Sequence, residues 1–216
     1  PFKFFSPHFS YVTNLKTLQY CKGKPIKSHE NDYDLFLKAY KKQIVYPRKP
    51  YILFLDEDCL CHSDFIYKNI INPYTKETYL DDLNGLFNVL SKNLNLDIVI
   101  QLHPRANKDF YKNLYMGEIS KDDTASSIRD ASLIVGHLST SINIAVMFNK
   151  PIILLETKAH ANLNSIYSLE QKNCMVNFSD LLGCNIINAN SVSLVKKIPS
   201  IDKKAYDLYF NNYIKI

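Results

Sequence analysis

The stretch YILFLDED at residues 51–58 decides the fold. Tyr51-Ile52-Leu53-Phe54-Leu55 is a continuous apolar run of strand length, and it stops abruptly at Asp56, Glu57 and Asp58. A strand with one wet face alternates polar and apolar residues. An unbroken run is the pattern of a strand covered on both faces, as in parallel α/β sheets. In such sheets ligands sit beyond the carboxyl ends of the strands, which is where these carboxylates fall.

Working outward, the same pattern repeats. LDIVIQL (96–102), Leu133-Ile134-Val135 and PIILL (151–155) read as further buried strands. Weaker strands are expected around 115–119 and at Asn185-Ile186-Ile187. Between them lie helical patterns: Leu83, Leu86, Phe87, Leu90 and Leu94 within 80–94, then 124–130 capped by Thr124 or Asp123. Further helices are expected from Ser139 through Phe148, over 165–178, near 191–198 and over 202–214. A short helix over 34–40 precedes the first strand, capped by Asn31 or Asp32. Strand and helix alternate through residues 50–198, which predicts an α/β fold with a doubly wound, mostly parallel sheet.

Composition agrees with a folded domain. The 216 residues are 46% hydrophobic and 22% charged. No run reaches the roughly 18 uncharged apolar residues that span a bilayer. The net charge is +5, but only Arg48, Arg105 and Arg129 are arginines and the lysines are scattered, so a nucleic-acid reader is not expected. The five cysteines are odd in number, lack a disulfide-framework spacing and follow no secretory signal. A cytoplasmic setting follows, with peripheral contact at the inner face of the cytoplasmic membrane open to a basic surface. Cys59-Leu60-Cys61-His62 has no second Cys/His pair at zinc spacing, so no metal is expected.

Polar groups cluster at the strand ends. After the first strand come Asp56, Asp58, His62 and Asp64, a group that can supply a base or simply cap turns and face water. After the second comes His103-Pro104-Arg105, where His can hydrogen-bond or protonate a phosphate and Arg can clamp it. After the fourth comes Gly136-His137-Leu138-Ser139-Thr140-Ser141. Hydroxyls and backbone N–H groups at a helix start favour an anion; one hydroxyl would suffice as a plain cap. Glu156 follows the fifth strand, suited to ribose hydroxyls or to a surface pair with Lys158. Neither GxGxxG nor GxxxxGK[ST] occurs, which excludes the usual dinucleotide and P-loop sites.

In their order, HP-Arg, the hydroxyl-rich turn and NKPIILLE (149–156) resemble the C-terminal half of GT-B glycosyltransferases. More narrowly they look like bacterial surface-polysaccharide transferases using CMP- or CDP-linked donors: sialyltransferases and polysialyltransferases, and teichoic-acid glycerophosphotransferases. Phe54-Leu55-Asp56 with His62-Ser63-Asp64 also looks like an FLD…H-x-D signature of polysaccharide-cluster proteins. The resemblance covers about residues 30–216 on short motifs. It implies a Rossmann-like, GT-B C-terminal fold and an inverting, metal-independent sugar transfer. The co-substrate would be a nucleotide-sugar, CMP-linked, and the acceptor a glycan or glycolipid.

By the same resemblance His103, with Arg105, would contact the donor phosphate. Ser139, Thr140 and Ser141, flanked by His137, would bind that phosphate or the cytidine ribose. The sialyltransferase Asp/Glu-Asp/Glu-Gly base motif is absent, since Asp56-Glu57-Asp58 ends in Asp. The base would then come from Asp56, Asp58, His62 or Asp64. The alternatives are a CDP-glycerol or CDP-ribitol phosphotransferase and a non-catalytic nucleotide-binding module.

The expected organisation is a segment over 1–49 readable as the end of an acceptor domain, a nucleotide-sugar-binding domain over 50–198, and a final helix over 199–216. Tyr206, Tyr209, Phe210 and Tyr213 form a stripe on that helix, to be buried on this domain's own sheet or on the acceptor domain.

Overall fold

The computed structural model describes residues 9–12, 24–27, 29–43, 49–161 and 166–214. Cys21, Arg48 and the expected helix start at Ser165 lie outside them. The first two strands, β1 (Phe9–Val12) and β2 (Lys24–Lys27), pair in parallel as a two-stranded sheet. Helix α1 (Asn31–Lys41) follows, and three short helices, α2 (Asp64–Tyr67), α4 (Lys108–Tyr111) and α7 (Lys158–Ala161), lie among the longer ones described below.

The remaining strands are β3 (Tyr51–Leu55), β4 (Asp97–Gln101), β5 (Glu118–Ile119), β6 (Leu133–Gly136), β7 (Ile152–Leu155) and β8 (Asn185–Ile187). They form one six-stranded sheet in the order β5-β4-β3-β6-β7-β8, with every pairing parallel. Counted within the sheet this is 3-2-1-4-5-6, the doubly wound Rossmann order, in which the direction of winding reverses between β3 and β6.

Alternate residues of each strand enter opposite cores, as the pleat requires. Ile52 and Phe54 of β3, Leu133 and Val135 of β6, and Ile153 and Leu155 of β7 face one side. There they meet Leu83, Leu86, Phe87 and Leu90 of α3 (Asp81–Leu94). Leu53, Ile134, Ile152 and Leu154 face the other. That side is covered by Ala39 of α1, Ile128 of α5 (Thr124–Asp130), Ile144 to Val146 of α6 (Ile142–Met147) and Met175 of α8 (Ile166–Leu182). The continuous apolar run of β3 follows directly: all five residues are buried.

The last helix, α9 (Lys203–Tyr209), runs into a π-helical turn over Phe210–Ile214. Its aromatic stripe packs on the second core: Tyr206 and Tyr209 are buried there, with Phe210 and Tyr213 against them. The Tyr206 hydroxyl donates to the Lys150 carbonyl and that of Tyr209 to Asn143 Oδ1. Arg129 locks α1 to the same layer, its guanidinium donating to the carbonyls of Ala39 and Lys42 at 2.8 Å each.

Several boundaries differ from the sequence pattern for local reasons. The strand expected over 115–119 keeps only two residues, because Tyr115 turns inward to bond Asp56. Gly117 then passes so close to β4 that a Cβ would lie 2.8 Å from the Ile98 carbonyl. The helix near 191–198 is a single 3-10 turn, Val192–Leu194; Pro199 disfavours helix at the residue before it. A π-helical turn over Lys76–Leu80 precedes α3, with Thr75 and Thr78 closing a reciprocal cap. At the end of α8, Gly183 takes φ +62°, and an added Cβ would lie 3.0 Å from that of Asp202.

Leu53 is fully buried at the centre of the sheet. Leu53→Ala is expected to lower unfolding free energy by about 2–5 kcal/mol. Urea denaturation measures this; a loss below about 1 kcal/mol would contradict the central placement of β3.

Candidate functional site

The crevice at the winding reversal is built from the ends of β3, β4 and β6. It opens into a cavity of about 330 Å³ lined by Glu57, His62, Asp64, His103, Ser139 and Thr140, with Phe65, Lys68, Tyr74 and Gln171 completing its walls. A second cavity, about 560 Å³, adjoins it past His103 and is lined by Gln101, Ser120 and Thr124, with Lys38 of α1 and Lys42 just after that helix. A further hollow of about 550 Å³, lined by Lys49, Tyr51 and Asp97, lies at the amino ends of β3 and β4, away from these groups.

Asp56 organises the floor. Its N–H donates to the Gln101 carbonyl and extends the ladder one residue past β3. Its carboxylate is buried and accepts from the His103 N–H at 3.2 Å, the Asp58 N–H at 3.1 Å and the Tyr115 hydroxyl at 2.5 Å. Burial pushes its pKa up, and these bonds oppose the rise. Asp58 sits at φ 56° and accepts from the Tyr111 hydroxyl at 2.8 Å. Both carboxylates are therefore enclosed as braces beneath the cavity, where the sequence reading had them as candidate bases. His62 and Asp64 do reach the cavity. His62 Nδ1 accepts from the Asp64 N–H, and Asp64 pairs with Lys68, which holds its pKa down.

His103 stands between the two cavities. Its Nδ1 accepts the Arg105 N–H at 3.2 Å, so the neutral ring carries its proton on Nε2. Burial, and then the Arg105 charge, lowers its pKa. Arg105 itself is exposed. Ser139 and Thr140 line the first cavity with His103; Ser141 is not among the lining residues. The helix starts at Ile142, not Ser139. The Ser139 hydroxyl accepts the Ser141 N–H, and residues 142–144 bond back three positions, so the three hydroxyls form a turn before a six-residue helix. The anion-favouring element here is the turn rather than a long helix.

Two residues named from the sequence lie elsewhere. His137 is fully buried below the crevice: Nδ1 meets the Leu155 carbonyl and Nε2 the Tyr79 hydroxyl. Its ring lies 4.2 Å from that of His160, which bonds Thr157 and Tyr74. Glu156 accepts from Asn188 and pairs with Lys172 at 3.5 Å, off the cavity. The apolar environment of residue 137 could not be read from a Gly-His-Leu sequence.

Glu57 was missed by sequence reasoning. It lines the cavity, and its Oε1 accepts the Leu138 N–H at 2.5 Å across the crevice. Burial raises its pKa to about 7. The only available signal was its place directly after the buried strand, shared with two other acids.

Among the described residues no three His, Cys, Asp or Glu side chains are arranged to hold a metal ion, and no helix is long and apolar enough to cross a membrane.

No family model matches the sequence, and no curated protein matches it. Solved structures share the fold. The wall teichoic acid polymerase TagF, in a variant soaked with CDPG, is 11% identical, with a TM-score of 0.52 over 95% of this chain and 52% of that one. A second TagF variant gives 0.54 at 11% identity, covering 96% of this chain and 53% of that one. The UDP-GlcNAc 2-epimerase of Methanocaldococcus jannaschii, in complex with UDP-GlcNAc and UDP, gives 0.52 at 15% identity, covering 93% and 59%. The chain thus spans little more than half the length of the proteins it resembles. At these identities the likeness concerns the Rossmann-like fold.

The buried histidines give the protein one acid-sensitive contribution to stability. Burial lowers the His137 pKa from 6.5 to about 4, and that of His160 falls in the same direction. The unfolded chain binds these protons more tightly, so the histidines' contribution to stability is complete above about pH 6.5 and is lost as pH falls toward 4. His137 alone accounts for roughly 3 kcal/mol. Urea midpoints of wild type and His137→Gln at pH 7 and 4.5 separate this contribution from the opposite one of Glu57, whose raised pKa adds stability as pH falls; wild type should lose stability relative to the variant on acidification, and an unchanged difference between the two would contradict it.

Proposed function

We propose that this chain is the donor-binding half of a GT-B-type glycosyltransferase that takes a nucleotide-linked donor. The observation that carries the reading is the cavity at the winding reversal, which His103, Ser139 and Thr140 line together. Donor phosphate there would accept from His103 Nε2–H and from the hydroxyls. As the sugar departs, negative charge builds on that phosphate, and donors already in place stabilise it without reorganising. The lowered His103 pKa keeps the ring neutral near pH 7, so it acts as a hydrogen-bond donor. His62 and Asp64 are the cavity groups able to accept an acceptor proton. The glycan or glycolipid acceptor would be held mainly by a second domain. The neighbours' greater length and the fold shared with TagF and the epimerase support this arrangement.

For the base, the second cavity offers Gln101, whose Oε1 is buried without a hydrogen-bond partner. Turned toward the cavity, that oxygen would accept from the exocyclic amine of cytosine, whereas uracil presents a carbonyl at that position. This favours CMP- or CDP-linked donors. Likeness to a polymerase soaked with CDPG keeps glycerol-phosphate transfer as the second reading. A purely nucleotide-binding module would bind the same ligands and show no turnover when joined to an acceptor domain.

Calorimetry with CMP, CDP and UDP tests the reading. A cytidine nucleotide should bind most tightly, and Gln101→Leu should narrow its advantage over UDP. His103→Ala should weaken binding by about 1.5–3 kcal/mol, roughly 10- to 150-fold. Tighter UDP binding would overturn the cytidine assignment, and unchanged binding in His103→Ala would overturn the phosphate site.

A further inference from the structure

The crevice already holds an anion of its own. Glu57 projects from the end of β3 across the winding reversal, and its carboxylate accepts the Leu138 N–H at 2.5 Å. The Ser139 N–H bonds the same carboxylate. These two amides belong to the turn whose Ser139 and Thr140 line the cavity, and Glu57 lines it with them. A carboxylate and a phosphate oxygen want the same donors. The side chain therefore occupies, from inside the protein, the position a ligand phosphate would take.

We propose that Glu57 is a proton-dependent placeholder for that phosphate: an incoming anion displaces the carboxylate from the Leu138 and Ser139 amides, and Glu57 takes up a proton as it yields. The inference rests on the donor-binding reading above and adds a gating residue to it. Ionised Glu57 competes with the ligand for the amides and repels it. Protonated Glu57 holds the amides only weakly and does not repel the ligand, and its hydroxyl can donate to the bound phosphate. Its neighbours reinforce this. Asp56 beside it on the β3 end adds negative charge, and Cys59 is held neutral by burial. From α2 and its approach come His62, Asp64 and Lys68, and from the β4 end His103. An added phosphate places two negative groups in one pocket, the arrangement that forces one of them to take a proton.

The sign follows. With free Glu57 titrating at about pH 7, the group is already protonated below that pH, and binding draws no proton from it. Above it, each binding event takes up close to one proton, and affinity falls about tenfold per pH unit.

The test is calorimetry of the full chain with CDP and, separately, with inorganic pyrophosphate, from pH 6 to 8.5 in two buffers of different ionisation enthalpy. Wild type should take up close to one proton per ligand above pH 7.5. Glu57→Gln keeps an oxygen to accept the Leu138 N–H but cannot ionise. It should show no such uptake and should bind more tightly than wild type at pH 8.5, by about tenfold or more. His62→Gln, which retains Glu57, should keep the wild-type proton count; loss of uptake there would move the proton to His62 and overturn the proposal. Equal uptake in wild type and Glu57→Gln, or no uptake in wild type, would also overturn it, and the wild-type and His62→Gln counts, corrected for the ligand's own ionisation, decide if Glu57→Gln does not fold. Pyrophosphate binding with proton uptake but no nucleotide preference keeps the placeholder and removes the donor reading. Nucleotide binding without uptake does the reverse, and absence of both ligands removes both.

Discussion

The parallel pairing of β3 with β6 is the constraint on which everything else depends. β3 is the first strand of the sheet, and β4 and β5 are added on one side of it. The chain then returns to lay β6, β7 and β8 on the other side. Because crossovers on the two sides carry helices to the two faces, both faces are covered, and every residue of β3 and β6 is buried. The loops leaving the two central strands diverge, and the gap between them is the crevice. No residue of the site needs to create that opening; the winding does.

Held in that gap, the polar residues divide by depth. Asp56 is the deepest, and its carboxylate joins the ends of β3 and β4 through the His103 N–H and braces Tyr115. A buried carboxylate with several donors is costly to disturb, so it suits a fixed strut better than a group that must exchange protons. His103 inherits its position from this strut and its tautomer from the Arg105 N–H. Glu57 is one residue further along and faces the cavity, so it keeps the freedom that Asp56 lacks.

Below the crevice lies a layer of His137, His160, Tyr74, Tyr79 and Thr157 joined by hydrogen bonds. Tyr74 belongs to this layer and to the cavity wall alike. Burial holds both imidazoles of the layer neutral.

The sequence by itself determined the class of fold and the edge of the sheet that carries polar groups. Both follow from short-range pattern: unbroken apolar runs require burial on two faces, and the polar residues that end them fall at one edge when the strands are parallel. YILFL, LDIVIQL and PIILL sufficed for this. What they left open was depth and direction. Asp56, Glu57 and Asp58 are neighbours in the chain, yet one is a strut, one faces the cavity and one braces Tyr111, because the chain bends through a left-handed residue at Asp58. His137 looked like a ligand group and is core, since the next strand's Leu155 carbonyl lies against it. The aromatic stripe of the last helix allowed two partners on periodicity, and contact with the second core chose one. Each of these depends on atoms tens of residues away, from 18 between His137 and Leu155 to 81 between Glu57 and Leu138, and only the folded chain brings them together.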